Sequence, residues 1–249
     1  MIRLTQALRV VHIQWILLRH GLDEIIFATR VFRPIRFLYY LTPGAWLRLD
    51  TRRRPRGVRV RAALEDLGPI FVKFGQILST RRDLLPDDIA AELARLQDHV
   101  PPFPSAEARA TIEAGLGQPV AELFTRFDAD PMASASIAQV HGARLADGRE
   151  VVVKVLRPGV ERRIRRDVGL MYIVADLAHR FWPEGRRLRP REVVAEFEKT
   201  LLDELDLVRE GANAQQLRRN FEGSRILYIP EVYWPYTTGD VLVLERIGG

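Results

Sequence analysis

Two lysines stand where a chain of this composition has no ordinary reason to place them. Of 38 cationic residues only Lys73, Lys154 and Lys199 are lysine, and every other positive charge is written as arginine. Lys199 lies beside Glu196 and Glu198 in a charged helical stretch, whereas Lys73 in IFVKFGQIL and Lys154 in VVVKVL are embedded in apolar residues. The two cations are not interchangeable, since an ammonium is a compact point charge well suited to phosphate oxygens. On a strand, Lys154 shares a face with Val152 and Leu156, so its charge is desolvated unless an anion meets it. The plainer alternative is an edge-strand lysine that blocks aggregation.

Small residues precede that strand: Pro131, Met132, Ala133, Ser134, Ala135, Ser136, Ile137, Ala138 and Gln139. Such a loop lets phosphate oxygens approach the backbone, and Ser134 and Ser136 add hydroxyl donors. Alanine is disfavoured at positive φ, so the loop is expected to be stiffer than a glycine loop. Further on, Asp206, Glu210 and Asn213 fall at i, i+4 and i+7 of a helical pattern. Two carboxylates so spaced repel unless a cation lies between them, and Lys154, Lys73 or a magnesium ion would serve. Glu204 lies about 160 to 200 degrees from Asp206 on an unbroken helix, so both reach one site only if the helix distorts or two partners exist. Glu198 and Asp203 read as a solvent-facing acidic side. Lys73 and Gln76, at i and i+3 with Gly75 between them, share a helix face on which Lys73 either snorkels to water or reaches a carboxylate in a neighbouring lobe.

The elements that must position these groups follow from the pattern. From Val60 to about Leu123 the periodicity is helical, with a start at Pro86 followed by Asp87 and Asp88, a stop at Pro101 and Pro102, and Ser105 as the expected cap of EARATIEAGLG. After Phe124, SIAQVHGARL and REVVVKVL flank Asp147-Gly148, a hairpin signal. Helical sequence resumes in VERRIRRDVGLMYIVADLAHRF and in REVVAEFEKTLLDELDLVREGANAQQLRRNF, read as one long helix, before a strand-like pair, YIPEVY and VLVLERI. The fold class is α+β: a helical part over 1–123, then a small antiparallel sheet with helices over 124–249.

The 249 residues are 47% apolar, ample for a buried core, and 28% charged with a net charge of +6, which favours an anionic partner. Without cysteine, thiol catalysis and cysteine-type zinc sites are excluded, and five scattered histidines give no metal site. Residues 4–49 mix apolar, aromatic and basic residues, but no run reaches the roughly 18 apolar residues of a spanning helix. Their amphipathic helices lie on an anionic bilayer or pack within the protein. The stretch 48–61, with seven arginines against Asp50, reads as an exposed basic arm, either solvated or touching phosphate. It lacks the interleaved aromatics that stack on bases, so nucleic acid ranks last among partners.

KFGQILSTRRDLLP, PMASASIAQVH, VVVKVLRP, DELDLVREGANA and VLVLERIGG, in that order, closely resemble the UbiB family of bacterial atypical kinase-like proteins of ubiquinone biosynthesis. The resemblance implies a protein-kinase-like N-lobe preceded by a helical extension. It makes Lys73, Gly75 and Gln76 the family's Lys-x-Gly-Gln motif, whose helices fold over the site where a kinase would accept a peptide. It makes Ala133 to Ser136 the alanine-rich loop in place of a glycine loop, Lys154 the ATP lysine, and Glu204 with Asp206 the Glu-x-Asp motif; as the lysine's partner we choose Glu210. It implies ATP and Mg2+ as cofactors and ATP hydrolysis or phosphotransfer as the activity. Anionic membrane, lipid-like quinone precursors and other ubiquinone-biosynthesis enzymes become the partners, at the cytoplasmic face of the bacterial inner membrane. The family's catalytic Asp and metal-binding Asp belong to a C-terminal lobe expected beyond Gly249, as do its membrane helices, so the chain alone is expected to be inactive. A nucleotide-switched module that presents lipid-like precursors is the alternative.

Overall fold

The computed structural model describes residues 12–13, 15–22, 54–81, 85–97, 100–181 and 186–248. The amphipathic reading of 4–49 falls largely outside the described residues, as do 48–53 of the basic stretch and 82–84 of the KFGQILSTRRDLLP motif. In chain order the helices are α1 (Arg56–Leu67), α2 (Pro69–Thr80), α3 (Asp87–Leu93), α4 (Ser105–Leu116), α5 (Val120–Leu123), α6 (Val160–Phe181), α7 (Pro190–Glu204) and α8 (Leu207–Asn220). The strands are β1 (Arg126–Phe127), β2 (Ala133–Ser134), β3 (Ala138–Arg144), β4 (Glu150–Leu156) and β5 (Val241–Glu245). This is the mixed α+β class expected from sequence. The chain divides into two compact units, residues 1–98 with 164–198 and residues 99–163 with 199–249.

In the first unit, α1 and α2 are separated by Gly68 at φ 110, and Pro69 opens α2 with the fixed φ that suits a first turn. Gly75 makes the packing possible: a Cβ there would lie 2.4 Å from Leu96 and 2.7 Å from Leu64. Val72, Ile89, Leu93 and Leu96 form the resulting core. The second half of the expected basic arm is not a loop. Pro55 caps α1, and the arginines that follow are helical, with Arg59 buried against the Gly21 carbonyl at 2.5 Å and Arg61 paired with Glu65 and Glu92. Proline just before a helix starts it rather than breaking it.

The second unit is built on an antiparallel sheet. β3 and β4 form the hairpin around Asp147-Gly148, β5 adds to β4, and β1 and β2 pair with successive parts of β3. Alternation along β4 puts Val151, Val153 and Val155 on the buried face, where Ala108, Ile112, Val120 and Leu123 of α4 and α5 cover them. The boundary anticipated at 123/124 therefore falls inside this unit.

Four local expectations are corrected. The helix after Pro86 ends at Leu93, short of Val100. Ser105 is the first residue of α4 and not its cap; Pro104 holds the cap position and no side chain closes it. YIPEVY forms only a single bridge, Val232 to Leu244, beside a short turn at Trp234–Tyr236. The long C-terminal helix is two helices, because Asp206 leaves helical geometry (φ −91, ψ 86) and its carboxylate accepts a hydrogen bond from the Arg209 amide, capping α8.

Candidate functional site

Lys154 occupies β4, which is flanked by β3 and β5, so it is an interior-strand lysine and the aggregation-blocking role falls away. The register sets Ala133, Val140, Lys154 and Leu242 in one row across four strands, and directly paired residues project to the same face. The small-residue turn and the ammonium therefore share one surface of the sheet. Lys154 keeps 24% of its side chain accessible, a charge neither buried nor free in water.

Helix α8 lies over that face. A Cβ on Gly211 would come within 3.2 Å of Leu242 and 3.3 Å of Trp234 and Val232, so the bare glycine lets the helix backbone sit close. Trp234 donates to Gln215, one turn further along the same face, at 3.1 Å and ties the helix there. Glu210, the residue before Gly211, is thereby brought to the lysine: Nζ of Lys154 lies 2.7 Å from both Oε1 and Oε2. Glu210 is in the first turn of α8, where the amide ends favour a carboxylate. Asp206 is spent on capping, and Asp203 pairs with Arg209. With the helix interrupted between them, Glu204 ends α7 and Asp206 starts α8, so the angle calculated for a continuous helix does not apply. Glu198, read as solvent-facing, accepts a hydrogen bond from Tyr172 at 2.8 Å.

The loop is a tight hairpin. The Ala135 amide donates to the Ala138 carbonyl at 2.9 Å across Ser136 and Ile137, and Met132 donates to Val140. No residue of it has positive φ, which is why alanine and serine are accommodated where φ would otherwise demand glycine. Pro131, Met132, Ala133, Ser134 and Ala135 are exposed or half-exposed, while Ser136, Ile137, Ala138 and Gln139 are buried. The Gln139 side chain is on the sheet face opposite Lys154: its Oε1 accepts from the Phe103 amide at 3.1 Å and its Nε2 lies 2.8 Å from His141 Nε2. His141 Nδ1 meets the Asp128 carbonyl at 2.9 Å. A carbonyl only accepts, so Nδ1 carries the proton and Nε2 accepts from Gln139. Burial pushes the His141 pKa below the ordinary imidazole value, with the Asp128 carbonyl opposing.

Arg157, directly after β4, is the residue that sequence reasoning missed. Its guanidinium donates to the Ser134 hydroxyl at 3.2 Å, the Ala135 carbonyl at 3.1 Å and the Pro101 carbonyl at 3.1 Å, and it lies over the Phe103 ring. One arginine among so many carried no compositional signal. Lys73 and Gln76 belong to the first unit; Lys73 is half-buried on α2, and the Gln76 amide donates to the Leu96 carbonyl at 3.1 Å.

A triphosphate fits the residues of the second unit: an ammonium held at a fixed point, a hydroxyl and an open small-residue turn. Among the described residues no three acidic or histidine side chains converge on one point. Among the described residues, no helix is long and apolar enough to cross a membrane.

Comparison with known proteins agrees with the geometry. The ABC1 atypical kinase-like domain matches residues 95–249. The chain is 56% identical over 246 residues to a protein from Marinobacter nauticus named probable protein kinase UbiB, covering 99% of this chain and 45% of that protein. The protein of the same name from Pseudomonas aeruginosa is 54% identical over 248 residues, covering 99% of this chain and 46% of the relative. The chain thus spans a little under half the length of these curated relatives. Among solved structures, Rv3197 of Mycobacterium tuberculosis, determined in complex with erythromycin, is similar with a TM-score of 0.52 and 30% identity over 70% of this chain and 44% of that one.

Proposed function

The chain belongs to the ABC1 atypical kinase-like family, and on that premise we propose that its second unit binds ATP, with Lys154 on the phosphates and the turn from Pro131 to Ala135 covering them. The observation that carries this reading is the Lys154–Glu210 pair on an interior strand in the same row as Ala133. Glu210 fixes the ammonium without neutralising all three of its donors, so a phosphate oxygen can join the pair. Ser134 and the exposed turn complete the surface. Asp206, by capping the helix that carries Glu210, and Glu204 beside it play supporting parts. Magnesium, in this reading, arrives with the nucleotide.

The protein containing this chain would hydrolyse ATP or transfer its γ-phosphoryl group in support of ubiquinone biosynthesis. It would work at the cytoplasmic face of the bacterial inner membrane, with anionic lipid, quinone precursors and other enzymes of that biosynthesis as partners. ATP binding and turnover by the longest polypeptide the gene encodes, with magnesium and anionic vesicles, test the reading. Lys154→Ala is expected to weaken ATP by about tenfold or more, equivalent to at least about 1.4 kcal/mol. Equal affinity and turnover in both proteins would remove Lys154 from the site.

A second reading, a nucleotide-switched carrier of lipid-like precursors, is favoured by a cavity of about 340 Å³ in the first unit whose lining is wholly apolar, including Phe71, Phe74, Met171 and Val194. It predicts nucleotide-dependent release from vesicles with no phosphorylated product.

A further inference from the structure

We infer that Arg157 is the positioning residue of the phosphate-covering turn, and that it acts by orienting the hydroxyl of Ser134. This rests on the nucleotide reading given above and adds a residue to it. A serine hydroxyl has one proton to give and two lone pairs to receive with. The Arg157 guanidinium, 3.2 Å from Ser134 Oγ, can only donate, so it occupies a lone pair and leaves the proton for a further acceptor. Accepting a charge-assisted hydrogen bond also polarises the hydroxyl and makes it a better donor. An anionic oxygen above the turn is the acceptor such a hydroxyl suits.

The guanidinium itself has little freedom. It is buried, stacked over Phe103 with its carbon 5.0 Å from the ring centroid, and bonded to carbonyls on two separate segments, Pro101 and Ala135. Gln139 grips the backbone of Phe103 through both ends of its amide, at 3.1 and 3.4 Å, so the platform under the arginine is held as well. The Arg157 amide donates to the Ile137 carbonyl at 2.8 Å, on the far side of the same turn. One residue thus contacts the turn at Ser134, Ala135 and Ile137, immediately after the strand that carries Lys154. All three side-chain contacts are made by Nη2, so what lysine could not supply is the flat face stacked on Phe103.

The test titrates the longest polypeptide the gene encodes with ATP and, separately, with adenosine, for the wild type, Arg157→Gln, Ser134→Ala and the double variant. Each single variant is expected to weaken ATP by about tenfold and to leave adenosine within about twofold, because only the phosphates face the turn. The double variant is expected to fall within about twofold of either single variant, since both changes remove one interaction. Multiplying effects in the double variant, or equal losses for ATP and adenosine in Arg157→Gln, would overturn the proposal. If Arg157→Gln fails to fold by circular dichroism, Ser134→Ala decides alone: unchanged ATP affinity refutes it. ATP binding that is sensitive to Lys154→Ala but indifferent to both other changes keeps the nucleotide site and discards Arg157. A wild-type protein that binds no ATP discards both.

Discussion

At the scale of single residues, what matters is which polar groups are committed and to whom. The buried chain from the Phe103 backbone through Gln139 and His141 to the Asp128 carbonyl works only with a neutral imidazole. A proton on Nε2 would face the Gln139 amide hydrogens, and turning the amide around would strip the Phe103 amide of its acceptor. The folded-state pKa of His141 is lowered by burial, so the unfolded chain binds more protons and stability rises with pH. Stability from this residue is complete above about pH 6.5, the ordinary imidazole value, and declines below it. Thermal midpoints measured from pH 7.5 to 5 should show that decline in the wild type and a flatter profile in His141→Asn. Asp128 and Glu245, held below the usual carboxylate range by Arg126 and by Tyr228 respectively, also lose stability on acidification, but only in the more acidic carboxylate window. Lys154 was legible from the chain because lysine is rare in it, and Glu210 was legible only as one of three polar residues at helical spacing, since Asp206 turns out to cap the helix and leaves Glu210 to pair with the lysine. Arg157 and His141 were not, since their roles depend on partners distant in sequence that no local spacing announces.

Among elements, the approach of α8 to the sheet controls the lysine's partner. A Cβ at Gly211 would press on Leu242, Trp234 and Val232 at 3.2 to 3.3 Å, requiring shifts of a few tenths of an ångström. Alanine also gains about 1 kcal/mol of helix propensity over glycine, which offsets much of that crowding. Gly211→Ala is therefore expected to leave the unfolding midpoint nearly unchanged while weakening ATP severalfold, because Glu210 moves away from Lys154. Circular dichroism melts beside ATP titration separate the two effects, and a large loss of stability with normal ATP affinity would count against this account. The three long strands and most helices were readable from periodicity and from Asp-Gly and proline signals, whereas the two-residue strands β1 and β2 were not and YIPEVY was read as a strand where it makes one bridge. The break at Asp206 was not, because apolar spacing runs on through Leu201, Leu205 and Val208 and hides a side chain that prefers to cap.

For the molecule as a whole, packing does not follow the order of the chain. α6 supplies 160–163 to one unit and 164–181 to the other, and α7 likewise divides at 198/199. A cut at 123/124, where the sequence changes character, separates the sheet from Ala108, Ile112, Val120 and Leu123 that cover its buried face. Expressed alone, 124–249 is expected to aggregate or to lack a cooperative melt, while a piece beginning at 99 keeps that cover. Comparing their proton spectra and melts checks this; a well-dispersed, cooperatively melting 124–249 would show that α4 and α5 are dispensable. Composition marked the change from helix to sheet correctly but could not reveal that the last helices of the first stretch belong to the sheet.

The capped start of α8 has one more consequence. Along an uninterrupted helix each inserted residue swings everything downstream by about 100 degrees, so a single upstream insertion would turn a carboxylate away from its target. Because Asp206 begins a fresh helix, the heading of Glu210 is reset at that point. A change of helical phase in the preceding segment is therefore not carried through to the charge that faces Lys154.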